Sequence, residues 1–270
     1  MTKISAYELV TKEQIEFYRE YGFVQIDNVL TSDELSELRI YLEEVMTQTN
    51  GHGIHTDKEG GSYYKVLNQK VDVWRDHAGM AKYSLSENFA QMAQLLTGVP
   101  SIRLYHDHAL YKMPGDSKET PWHQDFPFWP MKESGALSMW LALDDVNENN
   151  GCMVFMPRSH KLGKVASIDF LEPIDIFELS KGTHIDDEKP VIVRMKAGSC
   201  TFHDGLTFHF AHANRTSNPR RVLAVIYMPD GTKFDGKSTH VTDSYGLQIG
   251  DSICGPRNPV LAKLSVKSVF

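Results

Sequence analysis

A histidine and an aspartate stand two positions apart in this chain, as His123 and Asp125. If they lie on a β-strand, both side chains point to the same face, because side chains alternate between the two faces along a strand. One imidazole and one carboxylate on the same face offer two neighbouring ligands for a metal ion. A third ligand must come from elsewhere, and the segment 208–214 supplies two candidates, His209 and His212.

Two histidines and one carboxylate on one side of a metal leave the opposite coordination positions open. This arrangement is typical of non-haem Fe(II) oxygenases. Open positions are needed because a co-substrate and O₂ must both reach the iron before any reaction. Short combinations of His and Asp also occur by chance, as in His106-Asp107-His108, so the pair alone does not decide between a metal site and ordinary packing.

Arg220 stands a short distance after this second histidine segment. A 2-oxo dicarboxylate that chelates iron at one end carries its other carboxylate deeper in the pocket. A planar guanidinium binds such a carboxylate with two parallel hydrogen bonds, which makes Arg220 a candidate partner. The alternative is a surface charge after the turn at Pro219.

Composition excludes several classes of protein. The chain has 270 residues, with 28 Lys and Arg against 35 Asp and Glu and a net charge of −7, which argues against nucleic acid as the partner. No apolar run approaches the ~20 residues of a membrane span, and the N-terminus has no signal-peptide pattern. Three widely spaced cysteines favour a reducing cytoplasm over a disulfide framework. We therefore predict a cytoplasmic protein that acts on a small molecule; the oligomeric state cannot be predicted.

The first hundred residues show the signals of helices. Thr11 with Gln14, and Thr31 with Glu34, have the spacing of capping boxes. A third helix is predicted to open at Ser84 and Glu87 and to end at Gly98.

The pattern changes after residue 101. Short apolar runs alternate with Gly, Pro and Asn turn signals, which is typical of a β sandwich or barrel. The predicted strands here are 102–113, 136–146, 153–156, 191–195, 200–203 and 222–228, in addition to a short strand at 23–26 among the helices. We predict one domain over 1–270: a helical part at about 1–100, an all-β barrel or jelly roll that it buttresses at about 101–230, and a C-terminal wrap at about 231–270.

Four segments together resemble a known family over about residues 12 to 230. They are Pro121-Trp-His-Gln-Asp125, Trp140 to Cys152, Pro157-Arg-Ser-His160, and His209 to Arg220. The chain resembles the phytanoyl-CoA dioxygenase (PhyH-like) family of oxygenases. The resemblance implies a double-stranded β-helix, a cupin-like barrel, and dependence on Fe(II), 2-oxoglutarate and O₂.

The resemblance also implies roles for individual residues. His123, Asp125 and His209 match the iron ligands, and His209 rather than His212 stands at the family's distance before Asn214. Catalysis is therefore expected to centre on these three residues.

The co-substrate positions follow in the same way. Arg220 matches the arginine that pairs with the distal carboxylate of 2-oxoglutarate, and Trp140 and His108 match further positions of that pocket. The family often has a serine where this chain has Ala211, so that contact is missing or supplied elsewhere.

The predicted function is hydroxylation of an unactivated C–H bond with release of succinate and CO₂. The alternative is a cupin-like metal-binding protein or pseudo-enzyme without turnover. A halogenase is disfavoured, since related halogenases have a small residue where this chain has Asp125. The substrate class stays open between an acyl-CoA, an amino-acid derivative and a secondary metabolite, and so do desaturation, epoxidation and cyclisation. Phe126, Phe128 and Trp129 either line the pocket or pack the core, and 51–61 forms either a lid or a disordered loop. Tyr105 and His106 are considered as further residues facing the site, with packing as the favoured alternative.

Overall fold

The structure is a computed structural model that describes residues 5–48, 51–52, 63–66, 68–115, 117–165 and 167–264. Most of the segment 51–61, for which a lid was considered, lies outside the described residues. Within the described part, no helix is both long and apolar enough to cross a membrane.

The described residues form seven α-helices, all before residue 98. They are α1 (Ala6–Leu9), α2 (Lys12–Tyr21), α3 (Ser32–Thr47), α4 (Tyr63–Val66), α5 (Val73–Asp76), α6 (Ala78–Ser84) and α7 (Glu87–Thr97). Short 3₁₀ helices occupy Phe126–Phe128, Ser159–Leu162, Glu178–Ser180, His184–Asp187 and Asp243–Tyr245.

Eleven strands in the described residues form two antiparallel sheets. The strands are β1 (Phe23–Ile26), β2 (Asn68–Val71), β3 (Ser101–Lys112), β4 (Thr120–His123), β5 (Leu137–Ala142), β6 (Met153–Phe155), β7 (Val191–Val193), β8 (Cys200–Asp204), β9 (His209–Ala211), β10 (Arg220–Pro229) and β11 (Val260–Lys263). The larger sheet has the order β1-β8-β5-β10-β3-β11, with β2 also paired to β3, and the smaller sheet has the order β4-β9-β6-β7. The short strands β2, β4, β9 and β11 were not predicted.

The helix caps explain where the N-terminal helices begin. Thr11 and Gln14 form a reciprocal capping box at α2, and Thr31 and Glu34 do the same at α3, as predicted. The prediction for α7 was wrong by two residues. Ser86 is its N-cap, whereas Ser84 ends α6 and donates a hydrogen bond to a buried carboxylate of β3.

Alternation along the strands separates a helix-facing side from a barrel interior. On β5, Leu137, Met139 and Leu141 join the core beneath the helices, while Trp140 packs with residues of the smaller sheet. The two sheets therefore face each other as a jelly-roll barrel, with the helices on the outer face of the larger sheet. The predicted fold class is confirmed.

Gly22 joins the end of α2 to the barrel, and it allows a test of this junction. Its φ of 84° is left-handed, and an added Cβ would collide with the His160 imidazole and the Thr207 hydroxyl. Gly231 has a similar φ of 93° but open space around it. We expect Gly22→Ala to lower the free energy of unfolding by ~2 kcal/mol more than Gly231→Ala, since both variants share the backbone strain and only the first adds a clash. Urea unfolding of both variants measures the difference, and equal losses would contradict this account of the junction.

Candidate active site

The pairing of β4 with β9 brings two histidines from distant parts of the chain side by side. His123 and His209 are register partners, and their ring centroids are 4.0 Å apart. Asp125 completes the group: its Oδ1 lies 3.5 Å from the Nε2 of each histidine. One ligand atom from each of the three residues lies within 4.8 Å of the others.

The arrangement considered for His123 and Asp125, with both residues on one strand, does not occur. β4 ends at His123, and Asp125 is the N-cap of the 3₁₀ helix Phe126–Phe128, with φ −77° and ψ −40°. The turn at the strand end, rather than strand alternation, places the carboxylate beside the imidazole. Gln124, between them, fixes this turn, because its side-chain amide donates to the carbonyl oxygens of Gly163 and Leu206.

Both imidazoles are oriented by their own strands. Nδ1 of His123 is 2.7 Å from the carbonyl oxygen of Pro121, and Nδ1 of His209 is 2.9 Å from that of Thr207. A carbonyl only accepts, so each Nδ1 carries the proton and each Nε2 presents a lone pair. Burial lowers the pKa of His209 well below its usual value, which also favours the neutral ring. Two imidazole nitrogens and one carboxylate oxygen form a donor set that fits Fe(II).

The second carboxylate oxygen of Asp125 is held from the larger sheet. Ser138 Oγ donates to Oδ2 at 2.7 Å, and His203 Nε2 lies 3.3 Å from the same oxygen. Burial acts to raise the pKa of Asp125, but the electrostatic interaction with His209 and the hydrogen-bond contacts with His123 and His203 outweigh it and hold the pKa well below the usual value. Oδ1 is thereby left to face the two histidines.

Arg220 is a buried cation without a complete set of partners. It is 3% exposed, and its guanidinium lies over the Trp140 ring at 5.0 Å from the centroid. Its Nε and Nη1 are buried and find no hydrogen-bond partner among the described residues. Burial lowers its pKa to about 10. Leaving the buried N–H groups of a charged side chain unpaired is unfavourable in free energy. We therefore expect an anion to bind at this position.

Lys112 lies next to Arg220 and adds to the expectation that an anion binds there. It was not selected from the sequence. It is the register partner of Arg220 across β3 and β10, and its Nζ donates to the carbonyl oxygen of Lys118 at 2.7 Å. Burial and the charge of Arg220 lower its pKa well below the usual value. No sequence signal separated Lys112 from other lysines, because only strand pairing places it beside Arg220.

All six residues selected from the sequence line one cavity of about 380 Å³. They are His108, His123, Asp125, Trp140, His209 and Arg220. His108 is held by Gln69, whose side-chain oxygen lies 2.7 Å from its Nδ1, and burial lowers its pKa to about 4.

Residues near the motif divide between the cavity and the core. Phe128 and Trp129 line the cavity, while Phe126 packs in the core beside Trp129. His212 is not among the cavity-lining residues; its ring lies 5.0 Å from that of Phe210.

Several cavity residues were missed in the sequence. Ser138 and His203 were identifiable in principle, since each alternates with outward-facing apolar residues on a predicted strand. His240 was not, because its position depends on a loop. Tyr105 and His106 were considered from the sequence, and both line the cavity.

Comparison with known proteins places the chain in a family. The family model for phytanoyl-CoA dioxygenase (PhyH) matches residues 18–222. The chain belongs to the phytanoyl-CoA dioxygenase family. As a member of it, this protein is a non-haem iron dioxygenase that depends on 2-oxoglutarate.

Individual relatives agree with this assignment. The peroxisomal phytanoyl-CoA dioxygenase of Rattus norvegicus is 26% identical over 242 residues, which cover 84% of this chain and 70% of the relative. The carbocyclase SnoK from nogalamycin biosynthesis has a TM-score of 0.81 and 26% identity, covering 97% of this chain and 100% of its own. The epimerase SnoN, solved with Fe³⁺, alpha ketoglutarate and nogalamycin RO, has a TM-score of 0.77 and 26% identity, covering 93% and 98%.

The contact between Ser138 and Asp125 predicts a measurable effect on metal binding. Ser138→Ala leaves Oδ2 without its hydroxyl donor, and we expect the affinity for Fe(II) to fall about tenfold because the carboxylate is less well oriented. Anaerobic titration with Fe(II) measures this. Ser36→Ala, on the exposed side of α3, is the matched control, and an equal affinity in both variants would show that Ser138 does not orient the ligand.

Proposed function

We propose that this dioxygenase hydroxylates an unactivated C–H bond of a small organic molecule while 2-oxoglutarate is converted to succinate and CO₂. One observation carries the proposal: a buried His-Asp-His group and a buried, incompletely paired guanidinium line the same cavity. The first fits a metal with open positions, and the second fits the far carboxylate of a dicarboxylate.

In this proposal His123, Asp125 and His209 hold the iron through two Nε2 atoms and Oδ1. Bound iron and 2-oxoglutarate supply, with O₂, the oxidising power that C–H hydroxylation needs. The residues around them keep the ligand atoms in place: two backbone carbonyls fix the imidazoles, and Ser138 fixes the carboxylate.

Arg220 binds and orients the co-substrate. Its unpaired N–H groups would donate to the distal carboxylate, and the Trp140 ring keeps the guanidinium plane in position. Lys112 lies beside Arg220 at the same level of the sheet, and an anion bound there would favour its protonated form. His108, which is neutral in its buried position, offers a hydrogen bond beside this site.

Two other functions are less well supported. A structural metal site needs no partner for a distal carboxylate, so the buried Arg220 argues against a cupin-like binding protein or pseudo-enzyme. A halogenase needs a free coordination position for halide, and Asp125 occupies that position with its carboxylate beside both histidines.

The relatives leave the outcome at the substrate carbon open. Two similar structures are described as a carbocyclase and an epimerase, so cyclisation or epimerisation is the second candidate outcome. The carboxylate-containing donor set argues against halogenation but does not separate hydroxylation from these outcomes, and product analysis with a bound substrate distinguishes them.

We also propose a cytoplasmic location. Its support is that Cys152, Cys200 and Cys254 are all free thiols, as expected in a reducing compartment. Microscopy of the tagged full chain tests it.

The metal site is tested by anaerobic titration with Fe(II) and 2-oxoglutarate. We expect a weak visible charge-transfer band in the intact chain, and its loss in His123→Ala and in Asp125→Ala because each removes a ligand. Succinate formation in air is measured in parallel. A band that survives both substitutions would refute the assignment of the ligands.

Substitutions of two neighbouring arginines test the co-substrate site. Arg220→Gln should weaken 2-oxoglutarate binding about thirtyfold or more, equivalent to ~2 kcal/mol, because a buried carboxylate loses its charged partner. Arg221→Gln is the control, since Arg221 pairs with Asp144 away from the cavity. Similar 2-oxoglutarate affinity in the two variants would contradict the proposed role of Arg220.

A further inference from the structure

The cavity continues past the triad into a region that the proposed chemistry does not use. Strand register locates it: Ile226 on β10 lies between His106 on β3 and Ser138 on β5. Neighbouring strands are ~4.8 Å apart, so His106 lies roughly 10 Å across the sheet from Ser138. Because Ser138 binds Asp125, a molecule that lies over Ile226 reaches from the triad to His106.

An irregularity in β3 turns two consecutive side chains into this region. The pairing with β10 shifts between Ile226 and Tyr227, which leaves Tyr105 as an extra residue in β3. Tyr105 and His106 both line the cavity, whereas Leu104 joins the core beneath the helices. A β-bulge that re-aims side chains is common beside active sites.

Two imidazoles in this region have unused hydrogen-bonding capacity. The rings of His106 and His240 have centroids 5.8 Å apart, and both residues line the cavity. His106 Nδ1 and His240 Nε2 are buried and find no partner among the described residues. Burial lowers the pKa of both, so both rings are neutral and each offers one donor and one acceptor. Buried polar atoms are normally paired, so a ligand that pairs them is expected.

The remaining walls of the region are apolar and mostly aromatic. Phe128, Trp129, Phe170 and Ile226 line the cavity beside Tyr105. The ring centroids of Phe128 and Phe170 are 5.5 Å apart, and those of Tyr105 and Trp129 are 6.2 Å apart. Surfaces of this kind favour a ligand with flat rings, since aromatic groups pack in offset or edge-on contact.

Charge complementarity narrows the ligand further. Among the described residues that line the cavity, Asp125 and Arg220 are the only ones with an acidic, lysine or arginine side chain. Both already have roles in the proposed function. A carboxylate or phosphate on the substrate would therefore be buried here without a cationic partner, which is unfavourable.

We propose that this region binds an uncharged ring compound and that His106 and His240 hydrogen-bond to its hydroxyl or carbonyl oxygen. The aromatic walls hold the rings, and the bound oxygen sets which carbon faces the triad. The inference rests on the proposed function in one respect: it takes the end of the cavity at the triad as the place of the reaction.

Three probes with the same ring system test this proposal: 1-naphthol, naphthalene and 1-naphthoate. Each is titrated calorimetrically into the full chain loaded anaerobically with Fe(II) and 2-oxoglutarate. We expect 1-naphthol to bind about fivefold to tenfold more tightly than naphthalene, the gain of one or two hydrogen bonds. The anionic 1-naphthoate should bind more weakly than naphthalene.

Matched variants assign the hydroxyl preference to the two histidines. His106→Phe and His240→Phe each retain a ring, and each should reduce the preference for 1-naphthol over naphthalene. His52→Phe, at an exposed histidine paired with Asp76, should retain it. If one of the cavity variants fails to fold, the other still tests the proposal.

The proposal is overturned if no probe binds, if 1-naphthoate binds best, or if the phenylalanine variants retain the preference. The visible band of the Fe(II)–2-oxoglutarate complex is followed in the same samples. A normal band without naphthol discrimination refutes this subsite and leaves the proposed function standing. Naphthol discrimination without a band refutes the proposed function and leaves the subsite.

Discussion

The site depends on one antiparallel pairing, that of β4 with β9. It places His123 opposite His209, although the two residues are far apart in the chain. Both strands are short, so neighbouring groups must hold them. The Gln124 amide connects the end of β4 to two other loops, and the Thr207 hydroxyl donates to the carbonyl oxygen of Gly22 beneath β9. The metal-binding geometry is therefore a property of the whole barrel.

The two faces of the larger sheet have different roles, since one stabilises the fold and the other carries polar groups of the site. Apart from the buried carboxylate that accepts from Ser84, its outer face is apolar, and it packs under the helices and contributes to the hydrophobic stabilisation. Its inner face can then carry groups that would be unfavourable in a core, including Ser138, His203 and Arg220. Arg220 shows this most clearly, because a guanidinium with unpaired N–H groups is tolerated inside a protein only where a ligand pairs with it.

The irregular part of β3 belongs to the proposed substrate region and not to the metal and co-substrate site. The triad is built on the β4–β9 pair and the turn that follows β4, and Arg220 opens β10. The bulge at Tyr105 and the loop that carries His240 lie at the other end of the cavity. Neither segment is part of the β4–β9 pair, so under the proposed subsite we expect changes there to alter ligand binding more than the iron site.

The sequence by itself determined the fold class, the capped helices, and the six residues predicted for the metal and co-substrate sites, all of which line one cavity. These features are local patterns or motifs, so short segments are enough to reveal them. Only the tertiary structure decided that Asp125 reaches the histidines from a turn, that Ser138 holds its second oxygen, and that Lys112 lies beside Arg220. It also decided that His106 and His240 face the same cavity. Strand register and bulges bring these groups together, and register depends on partners that are distant in the chain.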